Sequence, residues 1–169
     1  MSGFGRIAPR CARLDSKRVE RFGDALHDLL QRPETKATLF EHVPTAQGWD
    51  AGGCGYLAVA LKQWGGKNVK LRSIVSRELD LWYGGYHTVT NHVVVQIGSY
   101  IIDSNGAHPK SEFLYRYGRQ EGAPDEHLRF AKTKGSAVRS DVCRWVPGAV
   151  PALAKAIETH LGPASNLCK

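Results

Sequence analysis

Cys54 stands in a run of glycines, Gly52-Gly53-Cys54-Gly55, and an apolar series follows it: Tyr56, Leu57, Ala58, Val59, Ala60, Leu61 and Trp64. The spacing predicts a buried helix with a thiol on its first turn. A helix N-terminus carries partial positive charge, which lowers a cysteine pKa and favours thiolate. Such a nucleophile needs a base, and the base needs a group to orient it. His92 and Asp103 supply both residue types further along. The imidazole would take the thiol proton and later protonate a leaving group. A carboxylate on its other nitrogen would fix the tautomer and steady the imidazolium. Backbone N–H groups near Gly53 and Cys54 would form part of an oxyanion hole. Gln47 is the candidate side-chain donor to that hole, and Asp50 a second polar group in the same loop. Trp49, Trp82, Tyr83 and Tyr86 either line a substrate cleft or belong to local core.

These residues need a scaffold that brings them together. Ser16 is placed to cap a helix running to about Gln31, with Val19, Phe22, Leu26, Leu29 and Leu30 on one stripe, and Pro33 ends it. Leu39 to Val43 reads as a short apolar segment and Pro44 to Gly53 as loop. The Cys54 helix stops at Gly65-Gly66. Alternation from Asn68 indicates a strand, while Leu79 to Tyr86 reads as strand or as a loop over the site. His92 to Ile97, Gly98-Ser99 and Tyr100 to Asp103 read as a tight hairpin in which Gly98 supplies positive φ. Asp103-Ser104-Asn105-Gly106 ends it. In that register His92 lies across from about residue 105, with Asp103 one step inward, so the two side chains can meet; a one-residue slip would separate them. Ser111 to Arg119 suggests a short helix, His127 to Lys132 a strand, and Pro151 opens a last helix closed by Gly162. The order of elements predicts an α+β fold.

The order Cys on a helix N-terminus, then His and Asp on a β-hairpin, resembles the papain-like and transglutaminase-like cysteine enzymes. The stretches that carry the resemblance are GGCGYLAVAL (Gly52 to Leu61) and NHVVVQIGSYIIDSNG (Asn91 to Gly106). It implies Cys54 as nucleophile, His92 as base, Asp103 as orienting acid, and acyl transfer through a thioester without a cofactor. Two departures keep the resemblance at the superfamily layout: Gln47 is one place too far from Cys54 for the papain pattern, and Val94 stands where transglutaminase relatives often carry an aromatic.

The whole-chain figures are compatible with this reading. At 169 residues, one domain over 15–169 is expected behind a basic lead-in over 1–14. The N-terminus has no apolar run of a secretory signal and no stretch suits a membrane span. Cys11, Cys54, Cys143 and Cys168 form no CxxC pair, so four reduced thiols in a cytoplasm are the default expectation. His87 and His108 flank the hairpin and with Cys54, His92 and Asp103 offer ligand types for zinc, but without metal-site spacing; no metal is expected. The substrate expected is a peptide, protein or other amide-containing molecule. The net charge of +7 suits an acidic partner and keeps a second class open: a non-catalytic basic module that binds nucleic acid or an acidic protein. Lys67, Lys70, Arg72 and Arg77 read as a solvated strand face, and no nucleic-acid-binding signature accompanies them.

Overall fold

The computed structural model describes residues 13–79, 81–122, 127–133, 138 and 144–168. Cys11, Cys143 and nearly all of the basic lead-in lie outside them.

Helix α1 (Ser16–Gln31) is capped by Asp15 rather than by Ser16: its carboxylate accepts from the Lys17 and Arg18 backbone N–H groups at 3.1 and 3.4 Å. Pro33 does not end helical structure. It occupies the first turn of a second helix, α2 (Pro33–His42), where its missing N–H costs nothing and its fixed φ suits helix geometry. Leu39, read as part of a short apolar segment, is the buried residue of that helix. Helix α3 (Cys54–Gly65) carries the thiol. Strands β1 (Val69–Leu79) and β2 (Tyr86–Ile97) then form a long hairpin, so Leu79 to Tyr86 is its tip. Next come β3 (Tyr100–Asp103), β4 (Gly106–Pro109), α4 (Lys110–Glu121), β5 (Leu128–Lys132) and α5 (Ala149–Leu161).

The fold is α+β, with a five-stranded antiparallel sheet in the order β4-β3-β2-β1-β5. Gly98 turns β2 into β3 at φ 58°, as the two-residue hairpin requires. The pairing is Ile97 with Tyr100 and Val95 with Ile102, the expected register. Asp103-Ser104-Asn105-Gly106 does not end the sheet; it is a second tight hairpin, with Asp103 paired to Gly106. Four residues of β4 gave too short an alternation to be read as a strand.

Side chains alternate across the sheet, and each face has its own core. Val69, Leu71, Val93, Val95, Ile97 and Ile102 meet the apolar faces of α1, α3 and α5 in the larger core. Ile74, Val94 and Ile101 meet Phe113 of α4 and Leu128 on the opposite face. Among the described residues no helix is long and apolar enough to cross a membrane. Cys168 is not the reduced thiol expected: it is disulfide-bonded, whereas Cys54 is not. Such bonds belong to oxidising compartments more than to a reducing cytoplasm.

Tyr56 sits at the centre of the larger core, fully buried. Its hydroxyl donates to the Ala149 carbonyl at 3.1 Å and lies 3.2 Å from His42 Nδ1. Burial pushes this phenol up to about 12, because phenolate would be desolvated there. The neutral form is favoured in the folded state only, so this contribution is intact below the ordinary phenol value of about 10 and is lost as pH rises through the folded value. Denaturation measured across that window is expected to show a steeper loss of stability in wild type than in Tyr56→Phe.

Candidate active site

His92 and Asp103 meet. His92 Nε2 lies 3.2 Å from Asp103 Oδ2, and the two residues are 3% and 5% exposed. His92 is paired with Ile74 on β1, which turns its imidazole to the α4 face of the sheet. A register irregularity between Ile74 and Val75 skips Asn91, the residue before it. Asp103 is the last residue of β3, and its other oxygen, Oδ1, accepts from the Asn105 backbone N–H at 2.9 Å. One carboxylate thus shapes its own turn and holds the imidazole.

Tyr117, read from sequence only as an apolar member of its helix, covers the pair. Its ring stacks on the His92 imidazole with centroids 5.4 Å apart and planes 13° from parallel. Phe113, one turn earlier, continues the stack at 6.2 Å. Their i, i+4 spacing marks one face of a helix but carries no signal for His92 as a neighbour. The Tyr117 phenol is held well above the ordinary range, mainly by burial and then by negative charge at Glu121, Cys54, Asp103 and Asp50. Its hydroxyl is therefore within electrostatic reach of the thiol as well as of the carboxylates.

Helix α3 approaches from the other face of the sheet, since Cys54 belongs to the larger core. The thiol is 9% exposed. At the end of β3 the chain turns tightly from Asp103 into β4. The loop before Cys54 is tied to that turn by Asp50, which accepts from the Ser104 hydroxyl and, at 3.4 Å, from Asn105 Nδ2. His27 of α1 adds a bond from Nδ1 to the Ser104 carbonyl at 2.9 Å. Asp50 is therefore a latch between the Cys54 loop and the Asp103 turn.

The glycines before Cys54 answer to backbone geometry. Gly52 has φ +92°, and a Cβ on Gly53 would lie 2.7 Å from the Gly48 carbonyl oxygen and 2.9 Å from Trp49 Cα. Both are required for the loop to fold back on itself, with Gly53 N–H donating to Gly48 at 3.0 Å. Gly53 is also the N-cap of α3, and no side chain caps that helix. Its first-turn N–H groups are thus not engaged by a capping side chain.

The remaining site candidates are placed apart from this group. Gln47 is exposed, and its backbone N–H closes the loop on Ala51. Trp49 is a core residue, not a cleft wall: it is buried, donates from its indole to the Leu30 carbonyl at 2.9 Å, and stacks on Tyr56. Trp82 and Tyr83 are 93% and 92% exposed at the β1–β2 tip. Tyr86 lies six residues before His92 on β2, roughly 20 Å away at about 3.3 Å per residue. None of the three lines the His92–Asp103 pair. His108 accepts from Arg116 at 2.6 Å through Nδ1, and its pKa is lowered by burial and by that guanidinium. Among the described residues no three His, Cys, Asp or Glu side chains are grouped to hold a metal ion. A cavity of about 60 Å³ beside the pair is lined by Asn91, Gln120 and Glu121 as well as the latch and the carboxylate. It has room for about two waters.

No protein-family model, curated protein or solved structure matches the chain. Its chemistry has to be argued from this geometry.

The latch makes a direct prediction. Asp50→Ala leaves the Ser104 and Asn105 side chains without their acceptor and should cost about 1–2 kcal/mol. Amide exchange at Gly53 should quicken in the variant while exchange in the centre of β2 changes only by the global loss.

Proposed function

We propose that the protein is a cysteine hydrolase or acyltransferase that works through an acyl-thioester on Cys54, with a papain-like or transglutaminase-like arrangement of its core. The observation that carries this reading is the buried His92–Asp103 pair, whose turn is hydrogen-bonded through Asp50 to the loop that leads into the Cys54 helix. Asp103 engages Nε2, which leaves Nδ1 as the nitrogen to receive the thiol proton. The thiolate would attack the carbonyl carbon of an amide, isopeptide or thioester. Charge developing on the carbonyl oxygen would be met by the first-turn N–H groups of α3. Collapse of the tetrahedral intermediate would break the bond to the leaving group, which takes the proton from the imidazolium. Water or an amine would then attack the thioester, return a proton to His92 and release Cys54.

Burial of the pair under Tyr117 supports the same reading, because hydrogen bonds to charged groups are stronger where water is excluded. The proposal requires Cys54 as a thiol, and it forms no disulfide; it does not depend on the redox state of Cys168. The substrate class we infer is a peptide, protein or other amide-bearing molecule. The competing reading is a basic module with no catalysis, in which Cys54 is a packed core residue.

Alkylation separates the two. The pH dependence of Cys54 modification, followed by mass spectrometry, is expected to give a thiolate pKa clearly below the free value of about 8.5. His92→Ala should raise it. Once a substrate is in hand, Asp103→Asn should lower turnover by about 10²-fold or more, as loss of an imidazole-orienting carboxylate does elsewhere. A slow thiol indifferent to the His92 substitution would sink the enzyme reading.

A further inference from the structure

The positive charge of this chain is not spread evenly. A groove of about 480 Å³ runs between the C-terminal turn of α3 and the adjoining ends of β1 and β5. Lys62, Lys67, Lys70, Arg72 and Lys132 line it, and among the described residues no carboxylate does. Among the described residues none of the five forms an ion pair; the two recorded pairs are Arg18 with Asp15 and His92 with Asp103. Lys70 and Arg72 are neighbours on β1, and Lys132 is the cross-strand partner of Arg72. Like charges placed side by side on a sheet are destabilising, so folding stability alone gives no reason to gather them.

Two of the five are held in place. Lys62 donates to the Gly66 and Val69 carbonyls, each at 2.6 Å, and so completes the end of its helix. Arg72 donates from Nε to the Gln96 side chain at 2.9 Å. Lys67, Lys70 and Lys132 are exposed. The groove thus holds two hydrogen-bonded cations and three exposed ones, and its lining shares no residue with that of the cavity beside the His92–Asp103 pair.

We propose that this groove binds the phosphodiester backbone of a nucleic-acid duplex without reading its sequence. Cations with no acceptor among them match phosphate oxygens, and binding of this kind is driven by counterion release. The absence of an aromatic residue from the lining argues against a single strand, which needs stacking platforms. It also argues against a protein partner, whose interface would be expected to offer aromatic anchors. Duplex DNA and duplex RNA present the same phosphate chemistry, and the groove has no feature on its lining that selects between them.

The test is fluorescence anisotropy with the intact chain and labelled DNA and RNA duplexes. Affinity for at least one duplex should fall by about a hundredfold between about 50 and about 200 mM salt, as expected for four phosphate contacts. The triple variant Lys67→Glu, Lys70→Glu, Lys132→Glu should lose at least about tenfold in affinity and reduce the log–log salt slope by about three. A control triple, Lys17→Glu, Lys36→Glu, Lys155→Glu, makes the same change in net charge on exposed helix positions and should lose far less. Circular dichroism establishes that both variants fold, and a Lys→Gln set replaces any that does not. Absence of binding to either duplex overturns the proposal, as does equal loss in the two triples or tighter binding to an acidic peptide. The readout does not involve Cys54, so it stands or falls separately from the thioester reading.

Discussion

Asp103 holds the candidate site together through one carboxylate. One oxygen fixes the turn that ends β3 and the other holds His92, so the local backbone and the imidazole share a single anchor. The position has no tolerance for slippage. A shift of one residue along β3 would turn the carboxylate to the opposite face of the sheet, where the larger apolar core would meet an unpaired charge. The hairpin at Gly98 therefore sets more than strand pairing. It decides whether this histidine has a carboxylate beside it at all.

The sheet also places Cys54 and His92 on different faces. Helix α3 packs with α1 and α5 on one face, whereas α4 lays Phe113 and Tyr117 on the other. A hydrogen-bonded tie between the cysteine loop and the strand that carries Asp103 lies at the end of β3. That is where Asp50 joins the cysteine loop to the turn, with His27 of α1 as a further tie. Three separate elements converge on Ser104 and Asn105, two residues with no chemistry of their own in the proposed reaction. Their hydrogen bonds tie the loop, the strand end and α1 into one arrangement, which is what a preorganised site needs.

Charge is partitioned in the same spirit. The residues around His92 are carboxylates, amides and a phenol, while a concentration of lysine and arginine lies at the α3, β1 and β5 ends. A net charge of +7 describes neither region. The pair is buried under Tyr117 and Lys67, Lys70 and Lys132 of the groove are exposed, so the two regions obey different electrostatics: strong and short-ranged inside, screened and salt-dependent outside.

What the sequence determined by itself was local and periodic. The Val-rich strand, the Gly98 turn and the helix behind Cys54 announce themselves because apolar spacing and glycine placement are properties of neighbouring residues. From these the juxtaposition of His92 and Asp103 followed by counting across the hairpin. The misread pieces were those where local signals are ambiguous. Pro33 both ends and begins helices, Ser16 and Asp15 are both good caps, and Ser104-Asn105 looks the same whether a strand follows or not. Aromatic residues gave the least. Trp49 in a glycine-rich loop and Trp82 at a hairpin tip have similar local surroundings, yet one is core and the other is 93% exposed. Only the tertiary structure decided that, and only it placed Tyr117 over His92, Asp50 on the Asp103 turn and Lys132 beside Arg72. Such contacts join residues far apart in the chain, and they depend on which faces of which elements pack together, a property that no window of sequence contains.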